Sequence, residues 1–255
     1  MNKQNNINHY MSNIEDYKIV FILGNDDQIN DISIEEMKKR GVVAGVNRIH
    51  LAGEVDYLFC LDKDILIEIN DRNKKLPNTT LITNDFFFTK DKIYAKDTGT
   101  IRNNKVSLDL LNTIEYADIF QDHIHIPVVL QINNPSVHRN NPKYWGSVNV
   151  LIHLLDNYIF PNDNILFAVA GNSLQVKNNH FYDIKDYGWK RLKKKLIDSE
   201  YKKRLMLMEN SFKNIITKDK TNIISLMQMS KMNKYVDNIS IEELYNNLDT
   251  KLNRK

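Results

Sequence analysis

Cysteine and long apolar runs are almost absent from this 255-residue chain. Its single cysteine, Cys60, excludes an internal disulfide framework, and its place inside an apolar run predicts a buried structural thiol. No apolar run reaches the roughly 18 residues of a membrane span, and the polar first residues lack the apolar core of a signal peptide. We therefore expect a cytoplasmic protein without a transmembrane helix.

The chain also lacks a large excess of either positive or negative charge. The 35 basic and 32 acidic residues leave a net charge of +3, which does not establish a nucleic-acid partner. The length suits one large α/β domain, which we place at residues 17–250 with an insert or lid at about 85–122. We expect residues 1–16 to form a mobile polar tail and residues 251–255 to form a frayed basic tail. The composition specifies no oligomeric state.

Three short apolar runs near the N-terminus each end in polar residues. They cover residues 18–23, 42–46 and 57–61. Continuous apolar runs of this length are typical of strands buried on both faces of a parallel sheet. The sequence therefore predicts an α/β, Rossmann-like fold, with a mostly parallel sheet and helices on both faces. Ligands bind at the carboxyl ends of such strands, where this chain places Gly24, Asn25, Asn47, Arg48 and Asp62.

The later part of the chain contains a second glycine-asparagine loop. The apolar run 165–170 predicts a strand, and Gly171 and Asn172 follow it as Gly24 and Asn25 follow the first strand. Upstream, Gly146 and Ser147 open a predicted apolar helix. The free N–H groups of a helix N-terminus suit a phosphate, although an ordinary serine N-cap explains the same residues.

His180 and Tyr182 are the candidate catalytic side chains. A histidine titrates near neutral pH and is the usual general base for a hydroxyl, and a tyrosine can bind a departing phosphate. The alternative is an inert surface histidine. Residues 186–216 predict a long amphipathic helix whose basic side chains include Lys190, Arg191 and Lys194. They form either a solvated face or a strip that binds a polyanionic acceptor such as DNA.

Taken in order, three motifs resemble those of a known family. The segments FILGN (21–25), VAGVNR (43–48) and DYLFCLD (56–62) are similar to bacterial lipooligosaccharide sialyltransferases. They also resemble a broader set of glycosyltransferase-like and hydroxymethylpterin-pyrophosphokinase-like Rossmann-type proteins. The resemblance extends to Gly146 and Ser147, to the strand 165–170 and to the segment around His180.

This resemblance implies a GT-A-like fold and an enzyme that transfers a sugar from a nucleotide-sugar donor to a hydroxyl. The acceptor is then a glycan or a hydroxylated base in DNA. The reaction requires no cofactor, and His180 is the base. Donor contacts fall by analogy on Asn25, Asn47, Gly146 and Ser147, and the neighbouring Gly24, Arg48, Asp62, Gly171 and Asn172 complete the predicted donor site.

The chain departs from this family directly after Gly24 and Asn25. The family has Gly-Pro-Ser there, whereas this chain has Asp26, Asp27 and Gln28. Carboxylates at such a position bind Mg²⁺ in phosphoryl-transfer enzymes, so Asp26, Asp27 and Asp62 leave open a Mg²⁺-dependent phosphoryl or pyrophosphoryl transferase. A third hypothesis is a catalytically silent module that binds nucleic acid through its basic helix.

Overall fold

The first apolar run forms strand β1, Lys18–Leu23, and five of its six residues are buried. The structure of the protein is a computed structural model, and it describes residues 7–60, 65, 68–69, 75–84, 86–89, 92–95, 108–110, 128–132, 146–172, 174 and 198–252. The other strands are β2 Val42–Val46, β3 Tyr57–Cys60, β4 Thr80–Asn84, β5 Phe86–Thr89, β6 Lys92–Ala95, β7 Leu108–Leu110, β8 Val128–Ile132, β9 Ile165–Ala170 and β10 Asn222–Ser225.

The main sheet has eight strands in the order β10-β9-β1-β2-β3-β4-β8-β7. Every neighbouring pair is parallel except β7 and β8, which are antiparallel. Strands β5 and β6 form a separate antiparallel pair. The predicted mostly parallel, Rossmann-like α/β sheet is therefore confirmed, with one antiparallel strand added at its edge.

Helices cover both faces of this sheet, as predicted. Their bounds are α1 Ile7–Ser12, α2 Ile34–Lys38, α3 Ser147–Leu154, α4 Asp198–Thr217 and α5 Ile241–Leu252. Successive side chains of a strand point to opposite faces. In β1, Phe21 packs in one buried cluster with Met37 of α2, while Ile22 packs in the other with Phe212 of α4.

Short helical turns complete the described structure. Four are 3₁₀ turns, at Ile14–Asp16, Asp27–Asp31, Asn47–Leu51 and Lys231–Lys234, and a π-helical turn, Leu155–Ile159, extends α3. The described part of the chain contains no helix that combines the length and apolarity needed to cross a membrane.

The expected N-terminal tail is wrong for residues 7–16, which form α1 and a 3₁₀ turn. Tyr10 and Ile14, four residues apart, are 8% and 1% exposed and pack in the core. The backbone N–H of Ile7 also donates to Asp237 Oδ2 at 2.8 Å. Two apolar residues are too few for a periodic signal, yet packing against the rest of the domain orders the segment. Residues 1–6 lie outside the described residues.

The predicted insert and C-terminal tail are described only in part. Within 85–122, β5 and β6 pair with each other, whereas β7 joins the main sheet, with Leu108 opposite Ile132. Part of the interval therefore extends the domain core sheet. At the C-terminus, α5 continues to Leu252, so two residues of the expected frayed tail are helical. The last three lie outside the described residues.

Candidate functional site

The sheet has a topological switch point between β1 and β9. From β1 the chain moves to β2, β3 and β4 on one side, and it returns to β9 and β10 on the other. In open α/β sheets, the connections that leave a switch point in opposite directions open a crevice at the carboxyl ends of the two strands. Gly24 follows β1 and Gly171 follows β9, so both predicted glycine-asparagine loops lie at this crevice.

The two glycines bring these loops into backbone contact. Gly24 N donates to Ala170 O at 2.8 Å, and Asp26 N donates to Gly171 O at 3.1 Å. A Cβ added to Gly24 would lie 2.0 Å from Gly171 O, and Gly171 has a φ of 67°. No side chain fits at Gly24 in this arrangement, and the left-handed backbone of Gly171 disfavours one. The crevice is therefore lined by backbone at its base.

Helix α3 begins at the same edge of the sheet. Its π-helical extension is followed by Phe160, whose ring lies 5.7 Å from the ring of Tyr57, centroid to centroid, and 4.0 Å from Lys18 Nζ. Lys18 and Tyr57 are the first residues of β1 and β3, so this end of the helix lies at the amino edge. Residues 147–159 span about 20 Å, about the length of β1. The N-terminus of α3 is therefore level with the carboxyl ends of the strands.

No described side chain caps this N-terminus. Gly146 occupies the N-cap position, and Ser147 is the first helical residue, so the alternative of an ordinary serine N-cap is wrong. The first helical bond runs from Val150 N to Gly146 O at 3.0 Å. Helix α4 packs alongside, where Asn149 Nδ2 donates to Met208 O at 2.9 Å. The N–H groups of the first turn thus receive no cap from the part of the chain that the structure describes, and they carry the partial positive charge of the helix end.

Asn172 is the most unusual polar residue of the site. It is 7% exposed, its backbone N contacts Met227 Sδ at 3.0 Å, and its carbonyl accepts from Ser230 Oγ at 3.3 Å. Its side-chain Nδ2 is buried and has no hydrogen-bond partner among the residues that the structure describes. A buried N–H group without an acceptor destabilises the folded protein, and an acceptor atom of a bound ligand would remove this cost. Met227 and Ser230 follow β10, and no sequence motif had indicated that loop.

The aspartates of the metal hypothesis lie on the loop after Asn25. Asp26 precedes the 3₁₀ turn that Asp27 begins, and the Asp27 side chain is exposed. Within the described ranges, no group of three or more histidine, cysteine, aspartate or glutamate side chains could hold a metal ion. Asp62, the third proposed ligand, lies outside those ranges, so the Mg²⁺ hypothesis stays a prediction.

Asn47 and Arg48 follow β2 and differ in their exposure to solvent. Asn47 is partly exposed and has a φ of 53°. Arg48 is 2% exposed, and its Nε donates to Glu68 Oε2 at 2.7 Å. A buried guanidinium needs a carboxylate partner, and no sequence pattern indicates Glu68 because it is 20 residues away. The Arg48 guanidinium is engaged inside the protein, and its predicted donor contact stays a prediction.

The remaining candidate residues lie outside the described residues. They are Asp62, His180, Tyr182, Lys190, Arg191 and Lys194. Their roles as donor ligand, base, phosphate ligand and polyanion contacts therefore stay predictions. The basic segment continues onto the described part of α4, where Lys202, Lys203 and Arg204 are exposed. Cys60, at the end of β3, is buried as predicted.

Comparison with known proteins gives similarity to solved structures alone. No protein-family model matches the sequence, and no curated protein matches it. The sialyltransferase CstII from Campylobacter jejuni, in complex with the substrate analogue CMP-3FNeuAc, is similar at 11% identity, 86% coverage of this chain, 85% coverage of that chain and a TM-score of 0.43. The same enzyme with cytidine-5'-monophosphate is similar at 11% identity, 86% and 84% coverage and a TM-score of 0.41. A likeness of this degree assigns no residue role to the present chain.

Proposed function

We propose that this protein is a glycosyltransferase-like enzyme that moves a sugar from a nucleotide-sugar donor to a hydroxyl acceptor. The observation that carries the proposal is the switch-point crevice, where backbone contact between Gly24 and Gly171 adjoins the edge at which α3 begins. Nucleotides bind in such crevices, with their phosphates at a helix N-terminus. The motif resemblance described above points to the same class of ligand.

Each element of the site has a role in this proposal. The N–H groups of the first turn of α3, at Gly146 and Ser147, face the donor phosphates, and the helix dipole supplies positive charge without a metal. The side-chain amides of Asn25, Asn47 and Asn172 bind the polar groups of the nucleotide. An amide both donates and accepts hydrogen bonds, so it matches the mixed edges of a nucleoside.

The proposed reaction is a displacement at the anomeric carbon. His180 takes the proton of the acceptor hydroxyl, whose oxygen forms the new bond to that carbon. The bond from the carbon to the phosphate oxygen breaks, and the nucleotide leaves with the electron pair. Tyr182 and the α3 N-terminus stabilise the negative charge that develops on the departing phosphate.

The acceptor in this proposal is a glycan or a hydroxylated base in DNA. The observation that bears on DNA is the exposed set Lys202, Lys203 and Arg204, near the start of α4. Contacts of this type bind phosphates and weaken steeply as salt rises. Transfer to DNA should therefore decline with salt, whereas transfer to a neutral glycan should change little.

The decisive experiment measures thermal stability with CMP-, UDP- and GDP-sugars, each with Mg²⁺ or with a chelator. A nucleotide-sugar at 100 times its Kd should stabilise the protein by about 2.7 kcal/mol, and the chelator should not reduce this effect. Stabilisation that requires Mg²⁺ would favour the phosphoryl-transfer hypothesis. Absence of any effect with all three donors would overturn the proposed function.

Two variants test which side chain binds the nucleotide-sugar and which side chain acts as the base. Asn172→Leu removes the buried N–H hydrogen-bond donor without a large change in volume. The variant without ligand should therefore be as stable as the wild type, and the nucleotide-sugar should no longer stabilise it. Asn157→Ala, an exposed asparagine after α3, is the control and should behave as the wild type. His180→Ala should still bind the donor and lose sugar transfer, and full turnover by this variant would contradict its role as the base.

A further inference from the structure

Arg48, His50 and Glu68 form a buried polar cluster next to the loop that follows β2. Arg48 Nε lies 2.7 Å from Glu68 Oε2, and His50 Nε2 lies 3.9 Å from Glu68 Oε1. Their side chains are 3%, 1% and 12% exposed. Removing such charges from water costs about as much as their attraction returns, so stability alone is a weak reason for a buried ion pair. The cluster therefore calls for another role.

His50 connects this cluster to the backbone of Asn47. His50 Nδ1 lies 3.2 Å from Asn47 O, and a carbonyl oxygen can only accept, so Nδ1 carries the proton. Asn47 has a φ of 53°, the left-handed conformation, which asparagine adopts more readily than most residues with a side chain but which is still less favourable than the right-handed one. Such a conformation persists where the surrounding contacts enforce it. The hydrogen bond from His50 is one of these contacts.

The first and last residues of this turn, Asn47 and Leu51, are accessible from outside. Arg48, Ile49 and His50 are buried, whereas Asn47 is partly exposed. Strand β2 pairs in parallel with β1, with Leu23 opposite Gly45. Two residues farther along, the same register places Asn47 level with Asn25, at the edge of the crevice. The buried cluster therefore supports a residue that lies beside the candidate donor site.

We infer that Arg48, His50 and Glu68 are positioning residues that hold Asn47 in its left-handed conformation for contact with the donor. This inference rests on the proposed function. It gives Arg48 a role behind the site in place of a direct donor contact. It also adds His50 and Glu68, two residues that the sequence motifs had not singled out, to the residues on which donor binding depends.

The first test removes the ion pair without leaving a buried charge. In Arg48→Met/Glu68→Met, apolar side chains replace both partners, an exchange that buried ion pairs commonly tolerate. The urea midpoint should stay near that of the wild type, while the Kd for the nucleotide-sugar, measured by calorimetry, should rise about tenfold or more because Asn47 is no longer held in place. Glu54→Gln is the control, because Glu54 binds Asn78 and the two residues precede β3 and β4, at the amino edge of the sheet. Its Kd should match the wild type.

The second test separates the two nitrogens of His50. In His50→Asn, the amide nitrogen takes the position of Nδ1 and can still donate to Asn47 O, so the Kd should stay within about threefold of the wild type. In His50→Gln, the amide lies nearer the position of Nε2, and the Kd should rise about tenfold. A cluster that served stability alone would affect the two urea midpoints and leave both Kd values unchanged.

The outcomes distinguish the inference from the proposed function. If the wild-type protein binds no nucleotide-sugar, the proposed function fails and the inference fails with it. If the wild type binds one, and the double variant and His50→Gln bind it equally well, the inference alone is overturned. Weaker binding by both, with normal binding by His50→Asn and Glu54→Gln, supports it.

Discussion

The two ends of the parallel strands differ in how their polar groups are satisfied. At the amino edge, polar side chains bind one another: Lys18 Nζ lies 2.6 Å from Asp163 Oδ2, and Thr221 Oγ1 donates to Asp156 Oδ2 at 2.9 Å. At the carboxyl edge, the backbones of the two glycine loops meet, and the Asn172 Nδ2 group is buried without a hydrogen-bond partner in the described structure. In the described part of the chain, these amino-edge side chains are paired with each other, whereas the Asn172 N–H donor at the carboxyl edge is unused.

This difference separates groups that stabilise the fold from groups that suit a ligand. Hydrogen bonds within the protein contribute modestly to stability, whereas a buried polar group without a partner costs free energy unless something binds it. Substitutions at the amino edge should therefore change stability and leave donor binding intact. Substitutions at the carboxyl edge should change donor binding, with or without a change in stability.

The largest expected effect comes from Gly24→Ala. The new Cβ would lie 2.0 Å from Gly171 O and 2.6 Å from Gly171 C, and these are backbone atoms, which shift at a greater cost than the end of a flexible side chain. We expect a loss of about 3 kcal/mol or more in the free energy of unfolding, measured with urea. Gly53→Ala is the control, since its Cβ would meet the flexible end of Ile34 at 3.1 Å, and it should change stability by less than about 1 kcal/mol. Equal midpoints for the two variants would contradict the close approach.

Local patterns predicted the central strands and the loops that follow them. Apart from Lys18 at the start of β1, the runs that became β1, β2 and β9 contain no polar side chain, because helices cover both faces of the sheet. Ser33 and Glu36 also have the spacing of a capping box at the start of a helix, and Ser33 Oγ accepts from Glu36 N at 3.3 Å. The Glu36 carboxylate, however, lies 3.0 Å from a guanidinium nitrogen of Arg40. A capping sequence thus located the start of α2 without fixing each of its hydrogen bonds.

Contacts between distant segments could not be predicted in this way. Glu68 is 20 residues from Arg48, and Met227 is 55 residues from Asn172. No spacing rule links such residues, because their meeting depends on how strands and helices pack. The same reason applies to Tyr10, whose burial in the core depends on the rest of the domain. The sequence therefore indicated the glycine-asparagine loops of the candidate site, and the structure supplied the residues that contact them from distant segments.

A smaller effect is expected from Lys18 at the amino edge. Its ammonium group pairs with Asp163 and lies 4.0 Å from the centroid of the Phe160 ring. Lys18→Met loses both contacts and should cost about 1 kcal/mol, whereas Asp163→Asn loses the exposed ion pair alone and should cost less than about 0.5 kcal/mol. Both variants should bind the nucleotide-sugar as the wild type does. Weaker binding by either one would break the separation between the two edges.

The smallest expected change in stability is at Asp156, where the substitution should stabilise the protein, unlike those at Gly24 and Lys18. Burial raises the pKa of its carboxyl above the ordinary value of 3.8, the hydrogen bond from Thr221 opposes this shift, and the nearby Asp219 adds to it. A raised pKa means that the folded state holds the proton more tightly. The resulting stability is present below pH 3.8 and is lost as the pH rises through the folded-state pKa.

Asp156→Asn removes this charge, and the new amide oxygen can still accept from Thr221. Because the side chain is only partly buried, the variant should be more stable than the wild type at pH 7 by no more than about 0.5 kcal/mol. The difference should vanish in acid, where the Asp156 carboxyl is neutral as well. Urea midpoints at several pH values measure this, and a less stable variant at pH 7 would show that the charge is favourable. Unchanged donor binding would place Asp156 with the groups that affect stability alone.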